Sequence, residues 1–183
     1  MAAWIWIFII LAGGLFALKI AYVLGIVLVL PFTQGALYVS TSRAKVAAFI
    51  DAVPMNTDHT LVDLGCGDGR VLREAQKRYG VQTIGYEINP LAYLKARLFS
   101  FGSNKIKIRR ENFWEADLSE ADVVFCYLYP DVMKKLAAKL DVCLKPGAVV
   151  VSSHFSLPGF APSKVLRLES SWHNDPMYIY HLR

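Results

Sequence analysis

Leu61-Val62-Asp63-Leu64-Gly65-Cys66-Gly67-Asp68-Gly69-Arg70 reads as a short buried strand running into a glycine turn and then a helix. Glycines at alternate positions let a backbone turn tightly and pass close to a ligand. The dinucleotide spacing G-x-G-x-x-G is absent here. Asp63 is the sharper clue, because a pyrophosphate gains nothing from a carboxylate two residues before the first glycine, whereas a cationic ligand does. Glu87 falls about twenty residues further on, at the end of the next predicted strand, where a carboxylate accepts hydrogen bonds from both ribose hydroxyls. Together, Asp63 and Glu87 point to a nucleoside that carries positive charge.

Working outward, the pattern alternates. Ser42 is placed to cap a helix over Arg43 to Ala52 that ends near Pro54. Thr60 to Leu64 is the first predicted strand, Arg70 to Tyr79 a helix, and Thr83 to Glu87 a strand. Pro90 opens a helix to about Phe101 from its favoured first-turn position. Strands follow at Lys105 to Arg109 and Asp122 to Cys126, the second a continuous apolar run suited to the middle of a sheet. Asp131 to Leu140 is a helix, Lys145-Pro146-Gly147 a turn, and Ala148 to Ser152 a strand. Val165 to Leu168 and Met177 to Leu182, separated by Ser171-Trp172-His173-Asn174-Asp175-Pro176, read as an antiparallel hairpin. The expected fold is α/β: a mostly parallel Rossmann-like sheet with helices on both faces and its ligand at the carboxyl ends of the strands.

The chain has 183 residues, and 55% of them are hydrophobic, more than one soluble domain of that size requires. The excess lies at the front. From Met1 to Ser42 the only charged side chain is Lys19, and Trp4 to Leu30 as a helix would reach about 40 Å, against roughly 30 Å of bilayer hydrocarbon. A single span over Trp4 to Tyr22 sets aromatic residues at both interfaces and lets Lys19 snorkel to the headgroups. No basic region precedes it, which argues against a cleaved signal peptide. Arg43 and Lys45 just after it place the following domain on the cytoplasmic side by the positive-inside rule, in a bacterial inner membrane. The expected organisation is an anchor over 1–30, a connector over 31–42 and a catalytic domain over 43–183. Fully extended, the connector reaches at most about 40 Å.

The net charge is +5, which favours an anionic membrane surface more than nucleic acid. Cys66, Cys126 and Cys143 form no C-x-x-C pair, and the four histidines lack ligand spacing. The expectation is free thiols and no metal site.

The acidic-x-G-x-G-x-G pattern resembles motif I of class I S-adenosylmethionine (SAM) methyltransferases, and the terminal hairpin resembles the end of their seven-stranded sheet. An apolar N-terminal span, VDLGCGDGR, GYEINP, ENFWEADLS, YLYP and KPGAVVVSSHF occur in one order. In that order the chain is similar to the membrane-anchored family of mitochondrial lysine methyltransferases of the adenine nucleotide translocase and the ATP synthase c-subunit, with bacterial relatives. VDLGCGDGR is also similar to the non-SET histone lysine methyltransferases.

The resemblance implies SAM as cofactor, bound by Asp63, Gly65, Cys66, Gly67, Gly69 and Glu87, with Asn112 accepting from the adenine amine and Phe113 against the ring. It also implies that Tyr129 and Tyr127, after the fourth strand, meet the acceptor as catalytic residues, with His154 and Phe155 facing the same rim. YLYP departs from the strand-end sequence of the mitochondrial enzymes, which brings the bacterial relatives closer. The reading is a methyltransferase acting on a protein lysine near the membrane. Alternatives are an amphiphilic acceptor such as a lipid or quinone, and a non-catalytic SAM-binding module; an NAD-dependent oxidoreductase is disfavoured by the glycine spacing.

Overall fold

A computed structural model of the chain describes residues 2–29, 40–168 and 175–182, and the chain divides into two compact units, Met1–Leu37 and Tyr38–Arg183. In the first, Ala2–Val29 forms one helix, α1. Its stretch Trp4–Leu24 is long and apolar enough to cross a membrane, and none of its apolar window is buried. Residues 30–39, and 169–174 between the last two strands, lie outside the described residues.

The second unit opens with α2 (Arg43–Ala52), where the Ser42 hydroxyl accepts from the Lys45 N–H as an N-cap. It continues through β1 (Thr60–Leu64), α3 (Arg70–Tyr79), β2 (Gln82–Tyr86), α4 (Pro90–Phe99), β3 (Ile106–Arg109) and a 3-10 turn (Phe113–Glu115). Then come β4 (Val123–Cys126), α5 (Pro130–Cys143), β5 (Val149–Ser153), β6 (Lys164–Leu166) and β7 (Met177–His181). Two helices differ from expectation at their ends. The α5 helix starts at Pro130, which needs no N–H in the first turn, and runs on to Cys143 before Pro146 forbids a further turn. The α4 helix stops at Phe99, capped by Ser100.

The seven strands lie in the order β3-β2-β1-β4-β5-β7-β6. The first five pair in parallel, while β7 runs antiparallel to both β5 and β6. Strand alternation divides the core between the two faces. Leu61, Phe125, Val151 and Ile179 pack with Phe49 of α2 and Leu72 of α3. Val62, Leu64, Val124, Val150 and Tyr180 pack with Met133, Leu136 and Leu140 of α5. At the amino ends of the strands, Asp122 fixes the β1–β4 register: its carboxylate accepts from the Thr60 N–H at 2.8 Å and pairs with Lys145 Nζ at 2.7 Å. The connections reverse direction between β1 and β4. In an open α/β sheet such a switch point leaves a crevice at the carboxyl ends of the strands, and the glycine turn after β1 sits there.

Candidate active site

The turn after β1 is held from beneath by β2. The Gly65 and Cys66 N–H groups both donate to the Tyr86 carbonyl at 2.9 Å, and the Gly69 N–H donates to the Cys66 carbonyl at 2.8 Å. Gly65 has φ +83° and Gly69 φ +75°, a left-handed geometry that side-chain-bearing residues enter at a cost. Gly85 in β2 meets a different demand. A Cβ there would lie 2.5 Å from Leu72 Cδ1 and 2.6 Å from Cys66 Sγ, so β2 must carry glycine for the turn and α3 to pack on it.

Three acidic residues surround the turn. Asp63, at the end of β1, is only 3% exposed; burial first, then the charges of Glu87 and Asp68, push its carboxyl well above the ordinary value. Glu87 accepts from the Gly67 N–H through Oε2 and from the Asn89 N–H through Oε1, each at 2.8 Å. Burial raises its carboxyl as well, against the lowering effect of those bonds. Each of its oxygens keeps a lone pair for a further donor. Burial would also raise Asp68, yet the forked bond from Arg70, Nε at 3.0 Å and Nη2 at 2.7 Å, outweighs it and holds that carboxyl below its usual value.

Asp63, Gly65, Cys66 and Gly67 line a cavity together with Asp68, Arg70, Val71, Phe125 and Tyr127. Its remaining wall is Ser40 and Thr41, which sequence reasoning assigned to a plain connector. Arg70 Nη1 donates to the Thr41 carbonyl at 2.8 Å and so ties that wall to α3. No local pattern marks Ser40 or Thr41, because the contact joins residues 29 positions apart.

Asn112 and Phe113 follow β3. The Asn112 side-chain oxygen accepts from the Trp114 N–H at 3.2 Å as cap of the 3-10 turn, and the Phe113 and Trp114 ring centroids lie 4.7 Å apart. After β4 the two tyrosines part. Tyr127 borders the cavity, whereas Tyr129 is the N-cap residue of α5 and 39% exposed.

Beside Tyr127 lies a charged cluster. Lys45 Nζ is 3.1 Å from Asp175 Oδ2 and 5.5 Å from the centre of the Tyr127 ring, and its side chain is buried. His154 Nδ1 is 3.0 Å from Asp175 Oδ1. Burial opposes ionisation of Asp175, but Lys45 and His154 win and hold the carboxyl below its ordinary value. His154 has φ +82°, the sole positive φ outside glycine among the described residues, and its N–H donates to the Pro176 carbonyl at 2.8 Å. Such a conformation costs about 1–3 kcal/mol and persists only where its surroundings enforce it. Among the described residues no group of acidic, histidine and cysteine side chains could hold a metal ion.

SAM fits this donor set. Asp63 presents a buried carboxylate with no cationic neighbour among the described residues close enough to offset its burial, and an α-ammonium supplies one. Glu87 keeps lone pairs for ribose hydroxyls, and the glycine turn lets backbone pass close beneath the ligand.

The comparisons with known proteins agree. The family model "ANTKMT methyltransferase domain" matches residues 63–164. The chain is 35% identical over 148 residues to a protein-lysine N-methyltransferase of Saccharolobus islandicus, across 78% of this chain and 91% of that protein. It is 36% identical over 109 residues to the adenine nucleotide translocase lysine N-methyltransferase of Mus musculus, across 58% of this chain and 48% of that protein, so it spans about half the length of this second relative. Among solved structures it is similar to an RNA methyltransferase from Salinibacter ruber in complex with S-adenosyl-L-homocysteine, with TM-score 0.73 and 33% identity, covering 79% of this chain and 94% of that one.

Proposed function

Because the chain belongs to the family of the ANTKMT methyltransferase domain, we propose that it methylates the side-chain amine of a protein lysine close to a membrane. It is a SAM-dependent methyltransferase. Support for a lysine acceptor comes from the archaeal relative, a protein-lysine N-methyltransferase matched over 91% of its length.

SAM, when bound, supplies a methyl carbon on a cationic sulfur; the amine lone pair forms the new N–C bond while the electrons of the C–S bond go to sulfur. The residues of the chain do the rest by holding and orienting. Asp63 balances the ammonium of the cofactor, and Glu87 takes its ribose hydroxyls. Gly65, Cys66, Gly67 and Gly69 provide the close backbone, and Asn112 and Phe113 flank the adenine. Tyr127, and Tyr129 at the start of α5, orient the acceptor. A lysine reacts only as the neutral amine, and its ordinary pKa is about 10.4. Phe125 and Tyr127 border the cavity, and the loss of water around an amine placed against them disfavours its charged form and so favours loss of the proton.

In this reading residues 1–30 form a single-pass anchor, 31–42 a connector and 43–183 the catalytic domain, on the cytoplasmic side of a bacterial inner membrane. The short connector keeps the site near the bilayer and points to a juxtamembrane lysine. Support for the anchor is the unburied apolar stretch Trp4–Leu24. A second reading, RNA as acceptor, draws on the Salinibacter ruber neighbour.

Incubating membranes with the protein and tritiated-methyl SAM, then fractionating and identifying labelled species by mass spectrometry, separates these. The expected result is methyl-lysine in a membrane protein. Label in RNA or in the lipid extract would replace the lysine reading.

A further inference from the structure

The outward face of α4 is built against the usual rule. Its inward side carries small residues, Ala92 and Ala96, both buried, and Ala96 lies against Gly69 of the cofactor turn. The bulky residues point away from the core: Leu94 is 63% exposed, Leu98 69% and Phe101 91%, with Leu91 and Phe99 beside them also exposed. Leu91, Leu94 and Leu98 follow one another at helical spacing, so they form one stripe on one face, and exposed Phe101 lies in the turn just past the end of the helix. Solvated leucines scattered singly need no explanation, but a contiguous stripe that no element among the described residues covers does.

The same edge of the domain carries the charge. Between Ile88 and Trp114 there are six cations, Lys95, Arg97, Lys105, Lys107, Arg109 and Arg110, against one acid, Glu111. That is a net +5, equal to the net charge of the whole chain; the rest is balanced. Arg73 and Lys95 stand over the Phe99 ring at 5.3 and 5.9 Å, which places cations around the apolar stripe. Lys107 and Arg109 on β3, the edge strand of the sheet, also discourage edge-to-edge pairing, but that need does not account for leucines turned outward on α4.

We propose that α4 and the β3 edge form a second membrane contact, which lies on an anionic lipid surface with the leucine and phenylalanine side chains inserted at the headgroup boundary and the cations on lipid phosphates. An apolar stripe flanked by Lys and Arg inserts about 5–10 Å in that way. Each cation near an anionic leaflet contributes to attraction that salt screens. RNA would draw the same cations but offers nothing to aliphatic leucines, since bases stack on aromatic faces. The contact would set the cofactor turn, joined to α4 through Ala96, beside the bilayer. It rests on the reading that α1 enters a membrane.

The test uses the full chain in lipid nanodiscs of phosphatidylcholine, with or without phosphatidylglycerol. An environment-sensitive fluorophore is attached through Leu94→Cys in a Cys143→Ser background, since Cys66 and Cys126 are buried. The expected result is a blue shift and quenching by nitroxide-bearing lipid only in the anionic discs, both lost with Lys95→Glu/Arg97→Glu or at high salt. Leu98→Asp, at an exposed position, should weaken the quenching yet leave methylation of a soluble peptide in detergent unchanged. A probe that stays aqueous while the protein remains in the disc overturns this contact alone; a protein that does not stay in the disc overturns the tethering as well. A blue shift in detergent that instead follows added RNA, or protein concentration, overturns the lipid assignment.

Discussion

Asp63 sets the cost and the use of the site in one side chain. Its folded-state carboxyl is raised by burial and by its acidic neighbours. In the unfolded chain it ionises near the ordinary value of about 3.9. Between those two values the folded protein holds a proton that the unfolded chain has lost, so stability falls as pH rises across the window and levels off above the folded value. Above that window, without SAM, the ionised group therefore works against the fold. Asp63→Asn should raise the melting temperature of the SAM-free protein, and the gap to wild type should widen with rising pH across that window and then hold constant. A gap that stays flat or narrows as pH rises from the ordinary carboxylate range would contradict this. Lys45 shows the converse arrangement. Counted in the sequence as a flanking cation that sets topology, it is in the fold a buried partner of Asp175.

Among elements, the β1–turn–α3 unit was the most legible in sequence, because each boundary has its own chemical mark. Thr60–Leu64 and Arg70–Tyr79 match their expected ends, as does Arg43–Ala52 between Ser42 and Pro54. The ends of α4 and α5 were less legible, since residues such as Leu98 to Phe101 and Val142 continue an apolar pattern past the point where the helix stops or short of where it does. The acceptor side was hardest to read. Lys45 and Asp175 are 130 residues apart, and only the antiparallel return of β7 beside β5 brings Asp175 to the rim; nor does sequence reveal that Pro130 makes Tyr129 a helix cap while Tyr127 borders the cavity. Gly85 offers a test of the β2–turn packing, which a sequence pattern alone would treat as an ordinary strand glycine. Gly85→Ala inserts a methyl between Leu72 and Cys66 and should cost about 1–3 kcal/mol in denaturant unfolding, with SAM affinity reduced. A neutral effect would mean that the turn is less tightly packed than its distances imply.

In the whole molecule, two features sit at separate places along one sheet and the helices that cover it. The switch point between β1 and β4 holds the cofactor turn, and the β3 end of the same sheet carries the excess charge and the unburied apolar stripe. The Tyr127 side, with Lys45, His154 and Asp175 beside it, is where an acceptor would approach. All of this depends on the glycine turn and Asp63 binding a positively charged methyl donor. Calorimetric titration of SAM into the full-length protein and its Asp63→Asn variant tests that most directly. Removing a charge-assisted contact of about 1.5–3 kcal/mol should weaken binding by about tenfold or more. Wild type should also release a proton on binding wherever Asp63 is protonated in the free protein. Equal affinity of the two proteins for SAM would contradict the account.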